Sequence, residues 1–189
     1  MARPRSQHLD ARILDAALAL MARQGYARMS IEAVAAEAGV SRPTVYLRFS
    51  SKEELALAAL GAFRERDRPR ATGDTRTDLI AQLRHFRRGV ERPYGMAMVG
   101  TVLAEELHTP ELLERFREGV VRPRREELRA LLEGARDRGE LRADADLDGA
   151  VSMLIGSFYA ARLAGRRPPR SWPSAEVDAV LRGLAPAGR

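Results

Sequence analysis

Apolar residues recur along most of the chain at spacings of three and four, the period of a helix that turns one face to a core. Ile13, Leu14, Ala17, Leu18 and Met21 form such a stripe and predict a first helix over 10–24. Gly25 stops it, because glycine takes left-handed geometry at a helix C-terminus without steric cost. After a short connection over 26–29, Ser30 is placed to cap a second helix over 31–38, with Glu32 in its first turn beside the positive end of the helix dipole. Gly39-Val40-Ser41 breaks the pattern, and Ser41 caps a third helix over 42–49. Pro43 stands in its first turn, where a missing N–H matters little. Ser51-Lys52-Glu53-Glu54 has the form of a capping box and opens a fourth helix carrying Leu55, Leu57, Leu60 and Phe63.

The stretch 66–75 is polar, contains Pro69 and Gly73, and reads as a loop. Helical patterns resume over 75–89 and 93–108. Thr109-Pro110-Glu111 marks another start, with a cap, a proline and an acid in order. That segment runs to about residue 138, where Gly139 follows, and Pro123 must kink or interrupt it. An acidic start over 144–148 opens a helix to residue 162. Pro168, Pro169 and Pro173 then separate it from a last helix over 174–184. The alternating β-branched runs of strands are missing. The fold class expected is all-α.

Composition narrows the function. Hydrophobic residues make up 45% of the 189, enough to bury a core. The absence of cysteine excludes disulfides, thiol catalysis and zinc fingers. No apolar run reaches the roughly 18 residues of a membrane span, and the polar first ten residues lack the apolar stretch of a secretory signal, so a cytoplasmic protein without membrane contact is expected. The net charge is +6. Residues 1–52 hold eight basic and four acidic groups, an excess that suits a polyanion, although a general preference for arginine would also produce it.

Within 30–55 two short helices meet at a turn containing Gly39. Ala35 is small where steeply crossing helices need a small side chain, and Val40 and Val45 are placed to fill the wedge. This is the pattern of a helix-turn-helix, whose second helix enters the major groove of DNA. The segment Ser-Ile-Glu-Ala-Val-Ala-Ala-Glu-Ala-Gly-Val-Ser-Arg-Pro-Thr-Val-Tyr-Leu-Arg-Phe-Ser-Ser-Lys-Glu-Glu-Leu, from Ser30 to Leu55, resembles the TetR/AcrR family of regulators, with the strong match covering 10–63. A weaker resemblance, over Arg-Gly-Glu-Leu-Arg-Ala-Asp-Ala-Asp-Leu-Asp at 138–148, points to a C-terminal domain type of some members. The resemblance implies a DNA-binding domain over 1–52, a connecting helix over 52–66, and a helical ligand-binding and dimerisation domain over 67–189. It also implies a homodimer that reads a partly palindromic double-stranded operator, commonly as a repressor released by a small-molecule effector.

The DNA-facing set is then Ser30, Ser41, Arg42, Pro43, Thr44, Tyr46, Leu47, Arg48 and Lys52. Arg42 opens the third helix with a planar fork suited to guanine O6 and N7, or to phosphate. Thr44 and Tyr46 carry hydroxyls able to donate to phosphate oxygens, which the resemblance favours, while Tyr46 is alternatively a core ring with its hydroxyl at the surface. Ser30 replaces the threonine common in the family and keeps a capping and phosphate-donor hydroxyl. Arg48 stands where His or Tyr is frequent and is expected to strengthen phosphate binding. Leu47 either touches a thymine methyl or packs internally. Lys52, the one lysine, falls where the family places a phosphate-binding lysine, or else is a solvated surface charge. Arg3 and Arg5 form either an arm against DNA or a solvated tail.

In the C-terminal part, Gly156, Ser157, Ala160 and Ala161 put small residues on one helix, a candidate dimer face together with the last helix. Phe86, Met96, Val99, Leu103, Phe116, Met153 and Tyr159 are candidate pocket residues, with Tyr94 and the methionines beside it as an adaptable wall; each is individually compatible with plain core. The rival reading is a metal-dependent helical enzyme, since Glu105-x-x-His108 matches the spacing of di-iron bundles, but such a site needs a second copy and neither His8 nor His85 provides it. A phosphate loop and a catalytic triad are also missing, so neither enzyme nor cofactor is expected. A third reading, a non-specific DNA-binding protein, would lack the specificity ratio of roughly 10³ or more that marks a regulator.

Overall fold

The computed structural model describes residues 4–65, 69–92 and 95–186. Arg3, Pro93 and Tyr94 lie outside them, as do the side chains of Arg5 and Phe63. The described residues are all-helical. The elements are α1 (Pro4–Gln24), α2 (Ile31–Ala38), α3 (Arg42–Tyr46), α4 (Lys52–Glu65), α5 (Thr75–Glu91), α6 (Gly95–Ala104), α7 (Pro110–Phe116), a π-helical segment (Arg117–Val121), α8 (Arg122–Asp137), α9 (Leu147–Leu163) and α10 (Trp172–Leu184).

Two compact units emerge. The first holds Met1–Arg66 and Arg88–Arg122, the second Asp67–Arg87 and Pro123–Arg189. Residues 88–122, expected within the C-terminal part over 67–189, group with the first unit. In the first unit, Met98 and Val102 of α6, Leu112 and Leu113 of α7 and Val120 share one core with Ile13, Ala17 and Met21 of α1, Val34 and Ala35 of α2, Val45 of α3 and Leu55, Ala56 and Leu60 of α4. The apolar flank that α1 and α4 leave uncovered by the two short helices draws in α6 and α7, because exposed apolar area of that size is unfavourable in water.

The second unit is built on α8, α9, α10 and most of α5. Leu79, Leu83, Leu128, Leu132, Val151, Leu154, Val177 and Leu184 are buried in it. Four aromatic rings from three helices meet there. Phe158 stands edge-on to Phe86 at 5.4 Å and to Trp172 at 5.1 Å, and Tyr159 lies 5.6 Å from Phe86. The indole N–H of Trp172 donates to Ser157 Oγ at 3.0 Å, so the polar atom of the largest ring is satisfied.

The α-helix is interrupted just before Pro123, and two other local features differ from the sequence reading for physical reasons. Preceding Pro123 is a π-helical segment, in which the Arg122 N–H reaches the Arg117 carbonyl, five residues back. The wider turn accommodates a residue that offers no N–H to the ordinary four-residue register. Pro173 belongs to the first turn of α10 rather than to the separator before it, a position that tolerates proline for the same reason. Thr109 makes no side-chain cap on α7; its hydroxyl donates to Glu105 instead, at 2.9 Å.

Candidate nucleic-acid interface

The two helices of the motif start at the residues the sequence indicates. Ser30 Oγ accepts from the Ala33 N–H at 3.2 Å, and Ser41 Oγ accepts from the Thr44 N–H at 3.4 Å, each satisfying a donor that a helix N-terminus leaves free. Between them Gly39 adopts φ +63°, and the N–H groups of Gly39 and Val40 return to the carbonyls of Ala36 and Ala35. That left-handed closure turns the chain sharply enough for α3 to cross α2, with Ala35 and Val45 buried at the crossing. The site is also crowded: a Cβ on Gly39 would lie 3.0 Å from Arg12 Nη2, which itself donates to the Ala38 carbonyl. Gly39→Ala is therefore expected to destabilise the first unit by about 1–2 kcal/mol, the cost of left-handed geometry for an L-residue. The check is a lowered urea midpoint with an unchanged denaturant slope.

α3 stands on buried Val45 and presents the opposite face outward. Leu47 is 83% and Tyr46 44% exposed, with Pro43 and Arg42 exposed beside them. Leu47 thus does not pack internally, and Tyr46 is a surface ring. The helix is shorter than expected, ending at Tyr46, and a turn carries the chain to Phe49, which is buried. Thr44 is half-buried, its hydroxyl 2.8 Å from that of Ser41.

The two remaining basic residues are engaged by the protein itself. Arg48 Nε pairs with Asp10 of α1 and its Nη1 donates to the Thr44 carbonyl at 3.0 Å. Arg48 therefore fastens the end of α3 to α1, where the sequence suggested a phosphate contact; a partner 38 positions away leaves no local trace. Lys52 Nζ donates to the Ala27 carbonyl at 3.1 Å and sits 4.3 Å from the centroid of the Tyr26 ring. Tyr26, unremarked in the sequence, is buried, and its hydroxyl donates to Glu53 at 3.0 Å. Burial first, and Glu53 second, hold that hydroxyl above the usual tyrosine range, so it stays a donor. The capping box is shifted by one residue: the Glu54 N–H donates to Ser51 Oγ, whereas the Glu54 carboxylate accepts from the N–H and hydroxyl of Ser50.

The candidate pocket residues fall into different units. Met96, Val99, Leu103 and Phe116 belong to the first, and Phe86, Met153 and Tyr159 to the second. Phe86 and Tyr159 are in ring contact, whereas Leu103 is 55% and Met153 51% exposed. The Glu105-x-x-His108 pair loses its helical register because α6 ends at Ala104. Glu105 is buried and bonded to Thr109, while His108 is exposed. Among the described residues no group of three or more His, Cys, Asp or Glu side chains is arranged to hold a metal ion.

Residues 13–59 match the model of bacterial regulatory proteins of the tetR family, and residues 69–181 match the tetracyclin repressor-like C-terminal domain. An uncharacterized HTH-type transcriptional regulator of Mycobacterium tuberculosis is 32% identical over 174 residues, covering 91% of this chain and 85% of the relative. The chain belongs to the TetR family. The DNA-binding transcriptional repressor TetR of Mycobacteroides abscessus is 35% identical to this TetR-family chain, over 79% of this chain and 82% of that protein. The solved structure of the TetR family transcription regulator SCO0332 is 30% identical, with a TM-score of 0.67, covering 94% of this chain and 99% of that one. The Flavonoid-responsive Regulator FrrA, at 24% identity and a TM-score of 0.71, shares the fold over 96% of this chain and all of its own. The TetR-family chain described here is thus a DNA-binding transcriptional regulator of the helix-turn-helix type. None of its helices, among the described residues, is long and apolar enough to cross a membrane.

Proposed function

We propose that this TetR-family regulator acts as a cytoplasmic homodimeric repressor, reads a partly palindromic operator with α3 of each protomer, and leaves it when a small molecule binds. The observation that carries the DNA-reading part is the outer face of α3, where Arg42, Pro43, Tyr46 and Leu47 project from a short helix seated on Val45. Ser30, Ser41, Thr44 and Lys52 flank that face as hydroxyl and ammonium groups suited to phosphate, which fixes register, while Arg42 and Leu47 are suited to base edges, which carry sequence. Dimerisation is supported by α9, on which Met153, Gly156, Ala160 and Leu163 are exposed at helical spacing, an apolar stripe that a second copy can cover. The effector would bind within the helical part of the chain that follows α4. Release requires that it bind one conformation more tightly than the other. In that arrangement residues 1–52 read DNA, 52–66 connect, and 67–189 respond and dimerise.

The test begins with selection of duplexes bound by the purified protein from a random library. On the selected duplex, Arg42→Ala is expected to relax preference at one position of each half-site by roughly 5- to 100-fold. Lys52→Ala should instead weaken binding to every duplex alike and lower the salt slope by about 1. Equal loss on all sequences for Arg42→Ala would remove it from the base-reading group.

A further inference from the structure

Arg42 does not stand alone at the head of α3. Its Nε lies 2.9 Å from Glu32 Oε1 in an ion pair, and its Nη2 donates to the Tyr46 hydroxyl at 3.3 Å. Its Cζ lies 5.3 Å from the centroid of the Tyr46 ring. Glu32 is in the first turn of α2 and Arg42 in the first turn of α3, so the two meet only because the turn at Gly39 folds one helix back on the other. Both side chains are about half exposed, at 57% for Arg42 and 53% for Glu32. An ion pair so exposed adds little to folding stability. Its consequence is geometric.

A guanidinium carries five N–H donors in a fixed plane. The Glu32 carboxylate pairs with the guanidinium on its Nε side, and the Tyr46 hydroxyl takes one donor of Nη2. The donors turned to neither partner are on Nη1 and Nη2, and a pair drawn from these two nitrogens suits the O6 and N7 acceptors of guanine. The carboxylate also changes which partners Arg42 can accept. A phosphate oxygen that approaches the guanidinium meets the negative charge of Glu32 close by, whereas the edge of a base is neutral and meets no such repulsion.

We propose that Glu32 is a specificity-determining positioning residue, which holds the remaining Nη1 and Nη2 donors of Arg42 toward the base edges and withholds its charge from phosphate. Glu32 touches no base in this scheme; it acts through Arg42. The inference rests on Arg42 as a base-reading residue, and its test separates the two.

Two duplexes of equal length serve as probes, one selected from the random library and one a scrambled version of it. Their affinities are measured over a range of salt for the full-length protein, Glu32→Gln, Arg42→Ala and the double variant. Glu32→Gln is expected to strengthen binding to the scrambled duplex a few-fold and to steepen its salt slope by up to about 1, as Arg42 turns to phosphate. The ratio of selected to scrambled affinity should fall by roughly three- to tenfold. In the Arg42→Ala background the same substitution should leave that ratio unchanged, because the residue through which Glu32 acts is gone. The melting temperature should hardly move. A Glu32→Gln effect that is the same factor on both duplexes, or a change in the ratio that persists without Arg42, overturns the proposal and leaves Glu32 a helix-capping charge. If Arg42→Ala alone changes both affinities equally, the base-reading assignment fails, and the role of Glu32 falls with it.

Discussion

Phe158→Ala is expected to lower the stability of the second unit by about 3–5 kcal/mol, the range for truncating a fully buried phenylalanine. Phe158 has no exposed surface and sits among Phe86, Tyr159 and Trp172, with centroids 5.4, 6.1 and 5.1 Å away. Removing the ring therefore loses transfer free energy, leaves a void, and dissolves three edge-on ring contacts, each worth about 0.5–1.5 kcal/mol beyond its area. The rings come from α5, α9 and α10, so the void cannot close by a shift within one helix. Trp172, the one tryptophan of the chain, reports the change directly. Its fluorescence should show a lower urea midpoint than in the parent, and a loss under 1 kcal/mol would mean that the cluster repacks.

Val45→Asp should have the largest effect on DNA binding. Val45 has no exposed surface and forms the seat of α3 on the core of the first unit. A carboxylate placed there has no partner, and an unpaired buried charge costs several kcal/mol or forces the segment to open. Operator affinity is expected to fall by at least about 100-fold, while Trp172 fluorescence in the second unit stays native. Leu47→Asp, two residues along and 83% exposed, is the companion variant. It should leave the melting curve unchanged and still weaken DNA binding, because it puts a negative charge on the face that meets the duplex. Loss of binding by Leu47→Asp without loss of stability, set against loss of both by Val45→Asp, separates the reading face of α3 from its seat. Equal stability losses would contradict the orientation of the helix.

The difference between those two residues illustrates what was legible in the sequence. The bounds of α2 and the starts of α3 and α4 follow from Ser30, Gly39, Ser41, Pro43 and Ser51, whose effects run through backbone groups one to four residues away. The alternative readings of Leu47, reader or core, could not be separated by periodicity, since five helical residues are fewer than two turns. Arg48 looked like a phosphate ligand because its residue type suits one. The structure gives it to Asp10, a partner reached only once α1 and α3 are packed. Lys52 on Tyr26 and Arg42 on Glu32 were invisible for the same reason.

By itself, then, the order of residues determined that this protein is helical, where most helices begin, and which short segment carries the turn that lets one helix cross another. Those properties depend on hydrogen bonds and dihedral preferences among near neighbours, and near neighbours are written in the chain. Tertiary packing alone decided that residues 88–122 join the N-terminal unit and that four rings from three helices form one cluster. It also decided that three of the chain's cationic groups, Arg42, Arg48 and Lys52, are each held by a partner. Such pairings depend on apolar area being removed from water across large sequence separations, and the partner that covers a given face is set by shape, which no local pattern encodes.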